Sequence, residues 1–270
     1  MLEKIILHKE KEVALLKKEI SIESLKQQPF FTKKTISFKN SIKNGSGIIA
    51  EFKRKSPSKG VINDSVDLKE ITKGYAFAGA SALSVLTDTE FFGGKLSDLE
   101  TARTTNSEIP ILRKDFMIDE FQFYEAKAYG ADVILLIAAV FSPKRCLELA
   151  QKAKELNLEI LLEIHTKEEL EHVKEIAHLV DAVGVNNRNL KTFEVDIEES
   201  MRLFDEIQTI KAQNEKTNKN DFVLISESGL SDIETVLKLK AKGFEGFLMG
   251  EYFMKHENPA KACEEFIEKL

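Results

Sequence analysis

From Gly47 onward the chain alternates between short apolar runs and longer amphipathic stretches. The apolar runs cover residues 48–52, 82–86, 109–112, 132–138, 158–164, 182–186, 222–226 and 246–249. Between them, apolar residues recur at helical spacing over 67–79, 96–105, 119–129, 143–156, 167–178, 196–211, 231–242 and 259–269. Strict strand–helix alternation predicts a parallel sheet covered by helices, because a parallel pair needs a crossover between its strands. Eight such units within residues 47–270 fit a closed barrel better than an open, doubly wound sheet. The expected fold is therefore α/β, a single (β/α)8 barrel over 47–270. Three predicted helices end in Phe77-Ala78-Gly79-Ala80, Ala128-Tyr129-Gly130-Ala131 and Ala241-Lys242-Gly243, as glycine-capped helices do before a strand.

Residues 1–46 read as a helical extension ahead of the barrel. Leu2, Ile5, Ile6, Val13, Leu16 and Ile20 recur at helical spacing among many Lys and Glu, whose runs are expected to be solvated faces. A second segment, Ser24 to Phe38, leads to the turn-forming Asn44-Gly45-Ser46-Gly47. The polar segment Asn214 to Asn220 is expected to be a loop on the face away from chemistry.

Composition narrows the function more than the fold. The 270 residues are 43% hydrophobic and 31% charged, which is ordinary for a chain with a large core. A net charge of −6 argues against a nucleic-acid partner. No apolar run reaches the length of a membrane span and no signal-peptide pattern opens the chain, so a cytoplasmic protein is expected. Cys146 and Cys263 stand alone, and His8, His165, His172, His178 and His256 form no ligand-spaced pair, so no metal site is expected. GxGxxG and GxxxxGK[ST] are both absent.

In a barrel of this kind, chemistry gathers where strands end and the following loops begin. Those positions carry Glu51 and Lys53, Thr87 and Asp88, Lys114 and Asp115, Glu163, Asn186 and Arg188, Glu227 and Ser228, then Gly250 and Glu251. Ile49, Glu51 and Lys53 share one face of their strand by alternation, and a charge inside a core is costly unless paired or wet. The plain alternative for Glu51 and Lys53 is an edge strand running into a solvated basic loop, Ser56-Pro57-Ser58-Lys59-Gly60. Lys114 either pairs with Asp115 or faces a ligand; Glu163, after apolar residues, is either a buried partner or a working group. A lysine and a glutamate meeting across a barrel mouth can serve as general acid and general base. Ser228-Gly229 either starts an ordinary helix with Ser231 as its cap, or presents amides to a phosphate; Gly250 repeats the pattern one strand later. Arg188 could add a bidentate contact to the same anion. The fourth strand instead ends apolar, in Leu135, Leu136 and Ile137, which leaves an oily wall.

With these residues in place, the chain resembles the indole-3-glycerol phosphate synthase family. The matching stretches are IIAEFKRKSPSKG (48–60), SALSVLTD (81–88) with FFGG (91–94), PILRKDF (110–116), LLEIHTKEEL (161–170), VGVNNRNL (183–190), ISESGL (225–230) and GFLMGEYFM (246–254). They run collinearly over nearly the whole chain. The resemblance implies closure of 1-(2-carboxyphenylamino)-1-deoxyribulose 5-phosphate to indole-3-glycerol phosphate, with loss of carbon dioxide and water and no metal or organic cofactor. It also implies that the N-terminal segment partly covers the site.

Carried over, Lys114 is the general acid and Glu163 the general base. Lys53 would hold the substrate carboxylate or assist proton transfer, with Glu51 orienting it, and Asn186, Glu227 and Ser228 would line the site. Arg188, Gly229, Gly250 and Glu251 fall at the phosphate end; Phe92, Phe116, Leu135 and Leu190 would sandwich the aromatic ring. The chain has no tryptophan, so an N-terminal aromatic that some relatives place over the ring must be replaced or missing. A lysine acid works best with its pKa pulled down toward neutrality. The expected ligand is one phosphorylated small molecule, with no membrane and a monomeric state. The rivals are another phosphate-binding barrel of tryptophan biosynthesis and a non-catalytic phosphometabolite-binding barrel.

Overall fold

A computed structural model describes residues 1–189, 192, 194–218 and 220–270. Eight parallel strands close into a barrel in sequence order: β1 Ile48–Phe52, β2 Ala82–Leu86, β3 Ile111–Lys114, β4 Val133–Ile137, β5 Glu159–Ile164, β6 Ala182–Asn186, β7 Val223–Glu227 and β8 Gly246–Met249. β8 pairs with β1 through Ile48–Phe247 to Ala50–Met249, which completes the ring. This is the (β/α)8 architecture of TIM barrels, as the alternation implied.

Three helices form the extension: α1 Leu2–Glu19, α2 Ile22–Lys26 and α3 Phe38–Asn44. The helices that follow are α4 Leu68–Phe77, α5 Thr89–Phe92, α6 Leu96–Thr105, α7 Phe121–Ala128, α8 Pro143–Glu155 and α9 Leu170–Ile176. The last four are α10 Glu198–Asn218, α11 Ile233–Lys242, α12 Glu251–Met254 and α13 Pro259–Ile267. Asp67, Ser142, Asp232 and Asn258 cap four of them with side-chain acceptors. Gly79, Gly130 and Gly243 all lie at positive φ after their helices, where glycine costs least.

Every strand is buried on both faces, which is why its sequence reads as a continuous apolar run. One face packs on the helices through residues such as Ala50, Phe52, Val85, Leu136 and Val185. The other fills the barrel, and α3 plugs its lower end with Phe38 and Ile42. Inside, alternate strands contribute side chains in layers. Ile49, Leu112, Leu161 and Ile225, from β1, β3, β5 and β7, belong to the aliphatic interior. Two residues further along the same strands stand Glu51, Lys114, Glu163 and Glu227. Strand alternation thus stacks an ionic layer directly above an aliphatic one.

Several expectations need correction. The third strand starts at Ile111 and reaches Lys114, where 109–112 was expected. Pro110 has no N–H to donate and serves the ladder only through its carbonyl, which accepts from the Leu83 amide. The segment 214–220 is not a loop through its length, because α10 continues to Asn218. Asn214 is buried there and its side-chain amide donates to the carbonyls of Ala177 and Asn220. The turn expected over 44–47 begins one residue late, since Asn44 closes α3. Asp232, not Ser231, caps α11 by accepting from the Thr235 amide. Not every lysine on α1 is solvated, either: Lys9 is fully buried.

Candidate active site at the barrel mouth

A cavity of about 670 Å³ opens at the carboxyl ends of the strands. Its floor is the ionic layer. Lys114 Nζ lies 2.6 Å from Glu163 Oε2 and 2.7 Å from Glu227 Oε2, so one ammonium bridges two carboxylates. Lys114 does not pair with Asp115, whose carboxylate is held by Arg113, Thr87 and Lys9. The Asn186 amide donates to Glu163 Oε1 at 3.1 Å, and its oxygen accepts from the Arg188 amide. On the opposite wall Lys53 Nζ donates to Glu51 Oε1 at 2.7 Å, and Ser84 Oγ donates to Glu51 Oε2 at 3.1 Å. The edge-strand alternative for this pair is therefore excluded: β1 is internal to the closed sheet and Glu51 is buried.

Two glycines make room for the carboxylates. A Cβ on Gly184 would fall 2.1 Å from Glu227 Oε1, and one on Gly250 would fall 2.6 Å from Glu51 Oε1. Gly250 was expected to repeat the turn at Gly229, but its φ of −128° is open to any residue. Space, not backbone, requires a glycine there. At the end of β7 the reverse holds, since Ser228 and Gly229 both adopt left-handed conformations, φ 68° and 75°.

One end of the cavity is cationic. Arg188 approaches Glu251 at 3.9 Å and Lys59 approaches it at 3.5 Å, with Ser228, Gly229 and Lys255 alongside. The other end is apolar, with Leu135 and Ile137 beside Phe92 and Phe116, whose rings lie 6.0 Å apart. Met1 and, from α1, Leu2 and Ile5 also line the cavity, so the N-terminal segment covers part of it with aliphatic side chains. The first loop contributes Ser56, Pro57, Ser58 and Lys59. The residues given catalytic, phosphate or ring-pocket roles border this cavity, except Leu190, which lies outside the described residues; Thr87 and Leu136 do not, since Thr87 bonds Asp115 and Leu136 packs toward the helices.

The charges on the floor shift one another. Burial pushes the Glu227 carboxyl up, and Glu163 adds to that against the pull of Lys114. Burial works the same way on Glu163, but Lys114 and His165 outweigh it and hold that carboxyl well below the usual range. For Lys114, burial disfavours the charge; Glu163, Glu227 and Glu51 overcome it and raise the pKa. In the resting site the lysine is therefore more firmly protonated than free lysine, opposite to the lowering that an acid role suggested.

Sequence reading passed over His165 and Gly184. His165 is buried, with Nε2 3.2 Å from Glu163 Oε1 and Nδ1 3.5 Å from Glu169 Oε2. Its spacing was the available signal, two residues past Glu163, just beyond the end of β5, and four before Glu169. Burial opposes its charge, yet the two carboxylates prevail and push its pKa up to about 9.

Comparison with known proteins identifies the family. Residues 2–266 match the indole-3-glycerol phosphate synthase family. The chain belongs to that family. An indole-3-glycerol phosphate synthase of Bacteroides thetaiotaomicron is 47% identical over 271 residues, covering 100% of this chain and 98% of the relative. One from Salinibacter ruber is 42% identical over 248 residues, 91% and 87% of the two chains. One from Caldanaerobacter subterraneus is 41% identical over 234 residues, 86% and 85% of the two chains. Among the described residues no helix is long and apolar enough to cross a membrane.

Two predictions follow from the floor. Gly184→Ala displaces the free end of Glu227 and costs Lys114 one charge-assisted bond, so turnover should drop roughly 10- to 100-fold and stability should fall by about 1–3 kcal/mol. Steady-state kinetics beside urea unfolding checks both halves. His165 gains its proton on folding, so its contribution to stability is complete below pH 6.5 and fades as pH rises through about 9. Comparing unfolding free energies of the wild type and His165→Gln, the difference should shrink by at most about 3 kcal/mol between about pH 6 and about pH 9.5.

Proposed function

We propose that this chain closes the ring of 1-(2-carboxyphenylamino)-1-deoxyribulose 5-phosphate to indole-3-glycerol phosphate, with its acid and base in the ionic layer. The observation that carries the assignment of roles is Lys114 between Glu163 and Glu227 at the floor of a cavity with one apolar and one cationic end. The substrate has the same polarity: an aromatic ring at one end, a phosphate at the other, and the reacting carbonyl between.

In this reading the ring lies between Phe92, Phe116 and Leu135, and the phosphate meets the amides at Ser228-Gly229 with Arg188 and Lys59. Glu251 serves as counter-ion to those two cations, since an acid is a poor direct ligand for phosphate. The aromatic carbon attacks the ribulose carbonyl, and Lys114 protonates the oxygen as the new carbon–carbon bond forms. A strongly held proton suits this step, because the oxygen becomes an alkoxide and grows basic enough to take it. The substrate carboxylate, near Lys53, leaves as carbon dioxide and returns its electron pair to the ring. Glu163 then removes a proton from the new ring while Lys53 protonates the hydroxyl, which departs as water, and solvent restores the one proton that the loss of carbon dioxide consumes. Asn186 and Glu51 orient Glu163 and Lys53, and Glu227 holds Lys114 in place. Each step is a proton transfer or an exchange of bonds within one molecule, and the reading uses no metal or organic cofactor. It further supposes a monomeric, cytoplasmic enzyme whose partner is this phosphorylated substrate.

General acid catalysis typically contributes about 10² to 10⁴ in rate, and Lys114→Ala should lose about that much. Indole fluorescence on addition of the substrate reads it directly; near-normal turnover would overturn the role. Glu163→Gln should block turnover and leave substrate affinity within about threefold, since Gln keeps the shape and most hydrogen bonds. A collapse in affinity would assign Glu163 to structure instead.

A further inference from the structure

Lys9 sits in the middle of α1, in a segment otherwise rich in solvated charge, yet it is fully buried. Its ammonium lies 2.9 Å from Asp88 Oδ2 and 3.0 Å from Asp115 Oδ1, and it donates to both oxygens of Glu12 at 3.1–3.2 Å. A lysine is seldom hidden without cause, because burying the charge is costly unless partners compensate fully. Here the two aspartates have a second task. Asp88 Oδ1 accepts from the Phe91 amide at 2.7 Å, and so caps α5, the short helix that carries Phe92. Asp115 Oδ1 accepts from the Phe116 amide at 2.8 Å. The two phenylalanines are the pair that faces the cavity.

We propose that Lys9 is a positioning residue for the aromatic-ring pocket, acting through Asp88 and Asp115 on Phe92 and Phe116. The proposal rests on the reading of those two phenylalanines as walls for the substrate ring. Its physical basis is charge balance. Arg113 neutralises Asp115 independently of Lys9, at 3.1 Å. Among the described residues Asp88 makes an ion pair only with Lys9. Without the ammonium, Asp88 is a buried, uncompensated carboxylate that must take up a proton or turn toward water. Turning toward water withdraws Oδ1 from the Phe91 amide, breaks the cap on α5 and moves Phe92, whereas a neutral side chain keeps the cap in place. The N-terminal helix therefore does more than cover the cavity: it fixes the ring wall from behind.

Steady-state kinetics of the full chain with the carboxyphenylamino-deoxyribulose phosphate tests this. Lys9→Met should raise KM about tenfold and change kcat by less than about threefold, the scale of one lost hydrogen bond. Adding Asp88→Asn to Lys9→Met removes the orphaned charge and keeps an oxygen for the Phe91 amide, so KM should fall back toward the wild-type value. Val13→Ala loosens α1 from Leu25 and Phe121 without touching the carboxylates, and protease cleavage of the N-terminal segment measures how far. A KM for Lys9→Met no higher than that of Val13→Ala at matched cleavage, with no rescue by Asp88→Asn, would reduce Lys9 to a simple anchor and overturn the proposal. An unchanged KM in Lys9→Met would do so too. Phe92→Ala separates the two levels of the argument: if it leaves KM untouched, the ring-pocket reading itself fails and takes the proposal with it. If Phe92→Ala raises KM while Lys9→Met does not, the proposal alone fails.

Discussion

A single ammonium between two buried carboxylates sets the terms for the rest of the site. Glu163 and Glu227 could not share the mouth of a low-dielectric barrel as neighbouring anions without Lys114 between them, and Lys114 could not be so deep without both. The arrangement splits the two acids, one held down and one pushed up, as happens when like charges compete for one partner. Everything around them serves that split. His165 approaches one acid, Asn186 fixes its orientation, and Gly184 withholds a side chain so that the other can reach inward. The barrel makes this geometry available because alternate strands deliver side chains to one height, and four of them deliver charges there.

Below that height the same four strands deliver Ile49, Leu112, Leu161 and Ile225. The change from oil to charge within two residues gives the floor its rigidity, since the packed aliphatic layer leaves the ionic one nowhere to sink. It also explains why the cavity divides cleanly. The fourth strand contributes no charge at its end and so becomes the apolar wall, while the loops after β7 and β8 bring small residues and exposed amides to the opposite side.

The barrel was legible in the sequence because a parallel strand buried on both faces cannot hide its apolar run, and a helix between two such strands cannot hide its period. The strand-end charges were legible for the same reason: Glu163 breaks into the apolar run of β5, and Lys114 closes β3 where the loop begins. Where reading failed, the missing information was tertiary. Asn214 looks like a loop residue until the carbonyl of Ala177 receives its amide. Gly184 looks like any small strand residue until Glu227 occupies the space. Lys9 was the hardest, one lysine among many on a charged helix, although it falls four residues after Ile5 and four before Val13 and so lies on the buried stripe. Helical spacing placed it inward; only Asp88 and Asp115, far along the chain, explain how it can be there.

That distance bears on the order in which the molecule assembles. The helix that carries Lys9 precedes every strand of the barrel; Glu12 meets its ammonium from the next turn, but the buried counterparts Asp88 and Asp115 come only after β2 and β3. Before β2 and β3 stand side by side, docking α1 would strand a cation against an unfinished wall. The first helix thus reaches its final seat only with those two strands in register, and the upper rim of the cavity is completed with it.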